Sequence, residues 1–415
     1  MTDTQSQSLL NHTATPHGSY STATAPYSSS HGSDFPKPKD ENSTVSESED
    51  SDDEDYNFKP RLPYVEGLTF TAMRHEPPQP FGSHYNTAYP PDQEGWKQLS
   101  QTEYCFSRSP LQGQTFDDDT KALRITSTIR TGYDCGAQVV AVNEDLVAKI
   151  YDPLYYDGFN EFDRRIDVVV EADGDYSREA VAYRALQKSK KAAQVTPKFY
   201  GSWTTEIETL IYRKGRLEKR NRSVRLILLE RLRGVRMLDI EPHYLWKKVR
   251  SLILKKALDA ESLVSGAGVY HGDFCPRNIM ILGSGYDDRT VDPKSVSVEV
   301  KLLDFNCAAV IDHPCYEDPT ISRNRRNLRE KWFPRAPSPI VRFFRSMVEF
   351  SSEGWCSNED RDAELWLWRH YRNDERYIPV DWDPQHPYRR PKHKDWEPAG
   401  GECTSNGDAT SELAS

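Results

Sequence analysis

Two stretches constrain this chain more than any others: His271-Gly272-Asp273-Phe274-Cys275-Pro276-Arg277-Asn278, and Lys301-Leu302-Leu303-Asp304-Phe305-Asn306. The first spaces three polar side chains as H-x-D-x-x-x-x-N. The second is an apolar run that ends on Asp-Phe. Ile279-Met280-Ile281-Leu282 and residues 298–303 read as two short strands, which would bring Asp273, Asn278 and Asp304 to one end. Phosphoryl transfer from a nucleotide needs such a set, because the protein has little covalent chemistry to do. It must supply an oxygen base for the acceptor's proton and oxygen ligands that hold Mg²⁺ across the phosphates. Asp273 is the expected base, with Asn278 and Asp304 as the expected metal ligands.

These motifs resemble the catalytic and metal-binding loops of the protein-kinase-like superfamily. Gly272, in place of the arginine of H-R-D, is more typical of the aminoglycoside and choline phosphotransferase branch. Residues 147–156, 175–186, 198–203 and 269–281 further resemble a group of kinase-like proteins found mainly in fungi. The resemblance spans roughly 120–390 and implies an α+β, two-lobed fold: a small β-rich lobe over 122–231 and a larger, mainly helical lobe over 232–391. ATP and Mg²⁺ would lie in the cleft between them.

Within the expected small lobe, 122–129, 137–142 and 146–151 are β-rich runs separated by turn residues. Lys149 lies in Val147-Ala148-Lys149-Ile150, which matches the kinase strand V-A-I-K, so the resemblance makes it the phosphate-orienting lysine. The competing reading is a solvated strand lysine. The loop from Gly132 to Gly136 departs from G-x-G-x-x-G and carries Asp134, which would repel phosphate. Residues 152–176 read as an insertion, followed by a helix capped by Asp175 or Ser177 and running through Leu186. On it Glu179 is the expected partner of Lys149, with Glu171 as the alternative. Strands are expected at 198–203 and 224–229, joined by a basic loop over 213–222. That loop has no aromatic interleaving and includes Glu218, so it reads as a solvated turn and contact with nucleic acid is unlikely. Residues 230–233 are the expected hinge, with backbone groups of Glu230 and Leu232 binding the adenine edge.

Beyond the hinge, residues 247–267 are apolar at helical spacing, and 283–297 read as a surface insertion. No A-P-E follows Asp304. A basic run over 323–329 stands there instead, readable as an exposed helix face or as a receiver of anionic substrate. Ser338-Pro339 starts a helix whose apolar stripe would be Ile340, Phe343, Phe344, Met347 and Val348, and a last helix is expected over 359–371.

The aromatics of 61–121 point to an irregular extension packed on the folded part. The net charge of −10 is mostly a tail property, since residues 1–60 hold eleven acids against three lysines. That composition has nothing to bury, and disorder is expected over 1–60 and 392–415. The acidic residues after Ser46, Ser48 and Ser51 resemble sites for an acidophilic kinase. Seven cysteines without a C-x-x-C pair argue for a reducing compartment, and no run is apolar enough to span a membrane. The expected setting is intracellular, cytoplasmic or nuclear, with no membrane partner. Two functional readings stand: a phosphotransferase acting on a hydroxyl of a small molecule or protein, and a pseudokinase serving as a regulatory or scaffold surface. The eroded glycine loop and the missing A-P-E favour the second, while the full set of chemical groups favours the first.

Overall fold

The computed structural model describes residues 59–396 except 92, 134, 161, 214–215 and 387–388. The expected acidic tail with its serines, Asp134 and the chain past 396 lie outside the described residues. The architecture is mixed α+β, built around one large antiparallel sheet. Its strands are β1 (Thr69–Glu76), β2 (Gln114–Arg130), β3 (Gln138–Val142), β4 (Leu146–Tyr151), β5 (Phe199–Arg213) and β6 (Arg216–Glu230). They close into a barrel in the order β1-β2-β3-β4-β6-β5.

The extension over 61–121 is therefore not irregular. It includes a capped helix, α1 (Gln101–Ser107), and gives the barrel β1 and the first half of β2. β1 runs antiparallel to β2 and closes the barrel against β5 through Ala72↔Thr205, Met73↔Thr204 and Arg74↔Trp203. The first seven residues of β2, Gln-Thr-Phe-Asp-Asp-Asp-Thr, are exposed. Their composition carries no strand signal, and pairing with β1 is what makes them a strand.

The basic segment 213–222 is likewise mostly strand. β5 and β6 form one long hairpin in which Arg222 points inward. Arg222 makes a two-pronged ion pair with buried Asp152, with Nη2 at 2.6 Å from Oδ2, and Tyr64 donates to the same carboxylate at 2.5 Å. This network joins the N-terminal extension, the segment after β4 and the hairpin.

Between β4 and β5 lie helices α2 (Val168–Gln187) and α3 (Lys190–Ala193). α2 starts earlier than expected, because Asp167 rather than Asp175 is its cap, accepting from the N–H groups of Val169 and Val170. Three valines and Gly174 make a poor helix in isolation. Burial against β4, β5 and β6 on nearly every side overrides that propensity.

The rest is mainly helical. A two-residue strand β7 (Val235–Arg236) leads to α4 (Lys247–Gly266), one residue short of the expected helix. Next come β8 (Val269–Tyr270), β9 (Ile279–Ser284), β10 (Ser297–Leu302) and β11 (Ala309–Val310), with β9 pairing β10 and β8 pairing β11. Helices α5 (Pro319–Trp332), α6 (Pro339–Arg342), α7 (Val348–Ser352) and α8 (Asp360–Tyr371) complete the described elements used below. The helix expected from Ser338 is broken into α6 and α7, with Arg345 in the left-handed region between them. Ile340, Phe343, Phe344 and Met347 are nonetheless buried as their spacing required, whereas Val348, the last member of the expected stripe, is exposed. Lys392 and His393, expected to lie in a tail, instead pair with Asp381 and Val380. One hydrophobic cluster runs continuously from Tyr64 to Trp382. No helix among the described residues is long and apolar enough to cross a membrane.

Replacing Asp152 by alanine leaves the buried Arg222 guanidinium without a counter-charge. The expected loss is about 3–5 kcal/mol of unfolding free energy, the usual result of removing one partner of a buried pair. Urea titration measures it, and a loss below about 1 kcal/mol would mean the network does not hold the extension in place.

Candidate active site

Strands β9 and β10 pair in register from Ile279↔Leu302 to Ser284↔Ser297. Leu303 N–H then donates to Asn278 O at 2.8 Å, which ties the two motifs together at that end of the hairpin. His271 fixes the geometry further. Its Nε2–H donates to Leu303 O at 3.0 Å, and its Nδ1 accepts from the Asp273 N–H at 3.3 Å. The accepting Nδ1 requires the neutral ring, and burial lowers the His271 pKa in the same direction. The ring also lies against Phe305, with centroids 4.5 Å apart.

Gly272 answers to a close approach of backbones. Its φ is +81°, and a Cβ there would lie 2.2 Å from the carbonyl oxygen of Cys307. No side chain fits, so the arginine of H-R-D is excluded by the path of residues 305–308.

Asp273 has both carboxylate oxygens engaged. Asn278 Nδ2 donates to Oδ2 at 2.7 Å and to the Asp273 carbonyl at 2.9 Å, while Arg277 donates to Oδ1 at 2.6 Å. Arg277 was not singled out in the sequence, although its place four residues after the aspartate was visible. Cys275 is buried beneath, its Sγ 3.6 Å from Asp273 Oδ1, and burial followed by the Asp273 charge pushes its thiol up to about 12.

The third group arrives from β4 and α2. The Lys149 ammonium pairs with Glu179 Oε2 and, at 2.5 Å, with Asp304 Oδ1. Glu179 also accepts from Tyr151 Oη at 2.7 Å and from the Phe305 N–H at 3.1 Å. Burial alone would neutralise the lysine, but Asp304 and Glu179 outweigh it and hold its pKa above the ordinary value. Burial would raise Asp304, yet Lys149 holds its carboxyl below the usual range. Lys149 and Glu179, the expected pair, are thus together, and Glu171 is exposed in the first turn of α2.

Two oxygens remain for a hard cation. Among the described residues no hydrogen bond reaches Asn278 Oδ1 or Asp304 Oδ2, and both are the neutral or anionic oxygen donors that Mg²⁺ prefers. By donor chemistry the pair could hold such an ion, with phosphate oxygens supplying the rest of its shell. Asp304 itself sits at φ +62°, an uncommon conformation for a side-chain-bearing residue.

The expected nucleotide contacts are partly committed elsewhere. The Gly132 N–H donates to the buried Gln138 side chain at 2.8 Å, and Gln138 Nε2 donates back to Gly132 O at 2.9 Å and to Gly136 O at 3.2 Å. Gln138 had no signal in the sequence beyond its position just after the loop. In the 230–233 segment, Glu230 N–H is taken by Lys198 O and Arg231 N–H by Asp145 O. No backbone bond among the described residues uses Leu232 N–H or C=O, so that residue keeps an edge for a ligand.

Arg178, also unforeseen, lies beside Glu179 on α2. It donates to Asn306 O at 2.6 Å, to Phe81 O at 3.0 Å and to Asp175 at 2.8 Å. No protein-family model matches the chain, and comparison with curated proteins finds no significant match.

Lys149→Met strands two carboxylates around one apolar side chain. At pH 7.5 the variant is expected to melt well below the parent, consistent with about 3–5 kcal/mol for a broken buried pair. Asp304 carries a depressed folded pKa in the parent, so its share of stability is present above the unfolded carboxyl value and lost as pH falls through the folded one. Without Lys149 burial is left to raise both the Asp304 and the Glu179 carboxyl, so the folded variant takes up protons that the parent does not, and the gap between variant and parent should narrow as pH falls toward 4. Melting curves across pH 4–8 check this; a gap of constant size would remove the ion cluster as its cause.

Proposed function

We propose that this chain has a two-lobed protein-kinase-like fold and transfers a phosphoryl group from ATP, with Mg²⁺, to a hydroxyl acceptor. One observation carries the reading. Lys149 from β4, Glu179 from α2 and Asp304 after β10 form a single buried ion cluster, while Asn278 and Asp273 are bonded to each other at the end of the same hairpin. Residues so far apart in sequence have no structural need to converge on opposed charges in this order.

In this reading Lys149 has a third donor left after Glu179 and Asp304, and directs it at the phosphates. Glu179 holds the ammonium in place and, through the Phe305 N–H, holds the Asp304 loop as well. Asp273 accepts the proton of the attacking hydroxyl. Arg277 must release Oδ1 for that purpose; at 41% side-chain exposure it has room to swing toward the transferred group as a second cation. Magnesium held by Asn278 and Asp304 supplies neutralisation of the phosphate charge. Leu232, whose backbone groups are unspent, would bond the base edge, whereas the expected Glu230 N–H is spent on Lys198 O. Catalysis rests on positioning and charge complementarity rather than on a covalent intermediate.

The pseudokinase reading keeps one specific support: Gln138 occupies polar groups of the glycine loop that phosphate would otherwise use. Two substitutions separate the readings. Asp304→Asn should sharply reduce the Mg²⁺-dependent thermal shift with ATP; a tenfold weaker Kd at high ligand removes about 1.4 kcal/mol. Asp273→Asn should keep that shift and lower transfer by about 10²–10⁴, the range for a general acid–base group. An Asp273→Asn protein as fast as its parent sinks the assignment of the base. A parent with no turnover against any hydroxyl acceptor, small or protein, leaves the pseudokinase.

A further inference from the structure

Far along the chain from the ion cluster, arginines from several segments converge on one cavity. Arg325, Arg326 and Arg329 come from α5, Arg335 and Arg342 from the segment around α6, and Arg390 from the C-terminal strand pair's connection. The cavity has a volume of about 440 Å³, and none of Lys149, Glu179, Asp273, Asn278 or Asp304 lines it. A basic helix face does not account for this, because half of the guanidinium groups lie outside α5.

Opposing charge is scarce there. Asp312 is the one acid in the lining, and it already pairs with Arg326 and Arg329. Arg342 is spoken for by buried Glu261. Among the described residues Arg325 has neither a hydrogen bond nor an ion pair, and the guanidinium groups of Arg335 and Arg390 have no carboxylate partner. Arg325 is only partly exposed; burial holds its pKa below the ordinary arginine value, Arg342 adds repulsion, and buried Glu261 attracts it more weakly without pairing with it. Like charges gathered around a partly apolar floor (Ile311, Leu328, Val341, Ile378) repel one another at reduced dielectric, and an anion entering among them would relieve that repulsion. A neighbouring cavity of about 900 Å³ shares Asp312, Arg329 and Arg335 and adds Lys188, Lys190 and Lys191 to the rim.

We propose that this pocket binds a compact, multiply phosphorylated small molecule, gripped by Arg325, Arg335 and Arg390 within the wall formed by the other arginines. Guanidinium is the side chain best matched to phosphate, because its planar fork bonds two oxygens at once. The volume lies within the range of small-molecule sites, roughly 300–1,000 Å³. The charges surround a hollow rather than forming a stripe, which suits a ligand with phosphates on several sides and not an extended phosphodiester backbone.

Inositol hexakisphosphate and pyrophosphate are suitable probes, titrated into the full chain at fixed ionic strength with sodium chloride as the control. The hexakisphosphate should raise Tm by several degrees and pyrophosphate by less. Arg325→Gln/Arg335→Gln should weaken binding at least tenfold while leaving the unliganded Tm equal or higher, since a repulsive cation is relieved. A merely structural arginine pair would lower it. Should that protein fail to fold, Arg390→Gln on the exposed rim should still weaken binding severalfold. ATP is itself a polyphosphate, so the hexakisphosphate shift is also measured in Asp304→Asn, where it should persist whatever becomes of the phosphotransferase reading. No shift above the chloride control, or equal affinity in the arginine variants, overturns the proposal. So does stronger binding at matched salt to phosphoinositide vesicles, a phosphoserine peptide or duplex DNA.

Discussion

Lys149 is held between Glu179 and Asp304, and the positions of three otherwise separate pieces of chain follow from that contact. A buried ammonium with one partner is expensive; with two, the carboxylates outweigh desolvation and none of the three can leave without exposing the others. Glu179 extends the constraint by accepting the Phe305 N–H, which fixes the turn where Asp304 adopts a positive φ. One residue earlier on α2, Arg178 takes the carbonyls of Asn306 and Phe81. Adjacent side chains on one helix therefore secure both the ion cluster and the N-terminal extension. The extension continues onto the segment beyond Asn306: Tyr85 Oη accepts the Val310 N–H, and Asn86 N–H donates to Cys315 O.

What the sequence made legible was what is encoded locally or by spacing. The strands around Lys149 and the hairpin of β9 and β10 have apolar periodicity and turn residues close at hand, so their limits were readable within a residue or two. Lys149, Glu179, Asp273, Asn278 and Asp304 were picked out by motif spacing, and the fold joins Lys149 to Glu179 and Asp304, and Asn278 to Asp273. The failures share a different cause. α2 buries Asp173, Asp175 and Arg178 among tertiary partners, so its first half has neither helix propensity nor an amphipathic pattern. β1 and the start of β2 are strands only because they pair across some forty residues. Arg222 looked like part of a solvated turn until Asp152, seventy residues away, supplied its charge partner. The arginines of α5 were readable as a helix face or as a receiver of anionic substrate; their convergence with Arg335, Arg342 and Arg390 depends on the fold of the last hundred residues.

The closed barrel has a consequence for where this protein can be cut. A strand pair is satisfied only while both members are present, and the seam between β1 and β5 is short. A polypeptide beginning near residue 120, where the motif-bearing part starts, would lack β1 and half of β2. The cylinder would then open into a sheet with two raw edges, the remainder of β2 on one side and the long, largely uncovered β5 on the other. Unpaired N–H and C=O groups along such edges recruit other strands, those of neighbouring molecules included. The extension is thus a seal as well as a strap, and a stretch that reads in the sequence as irregular keeps the sheet from becoming adhesive.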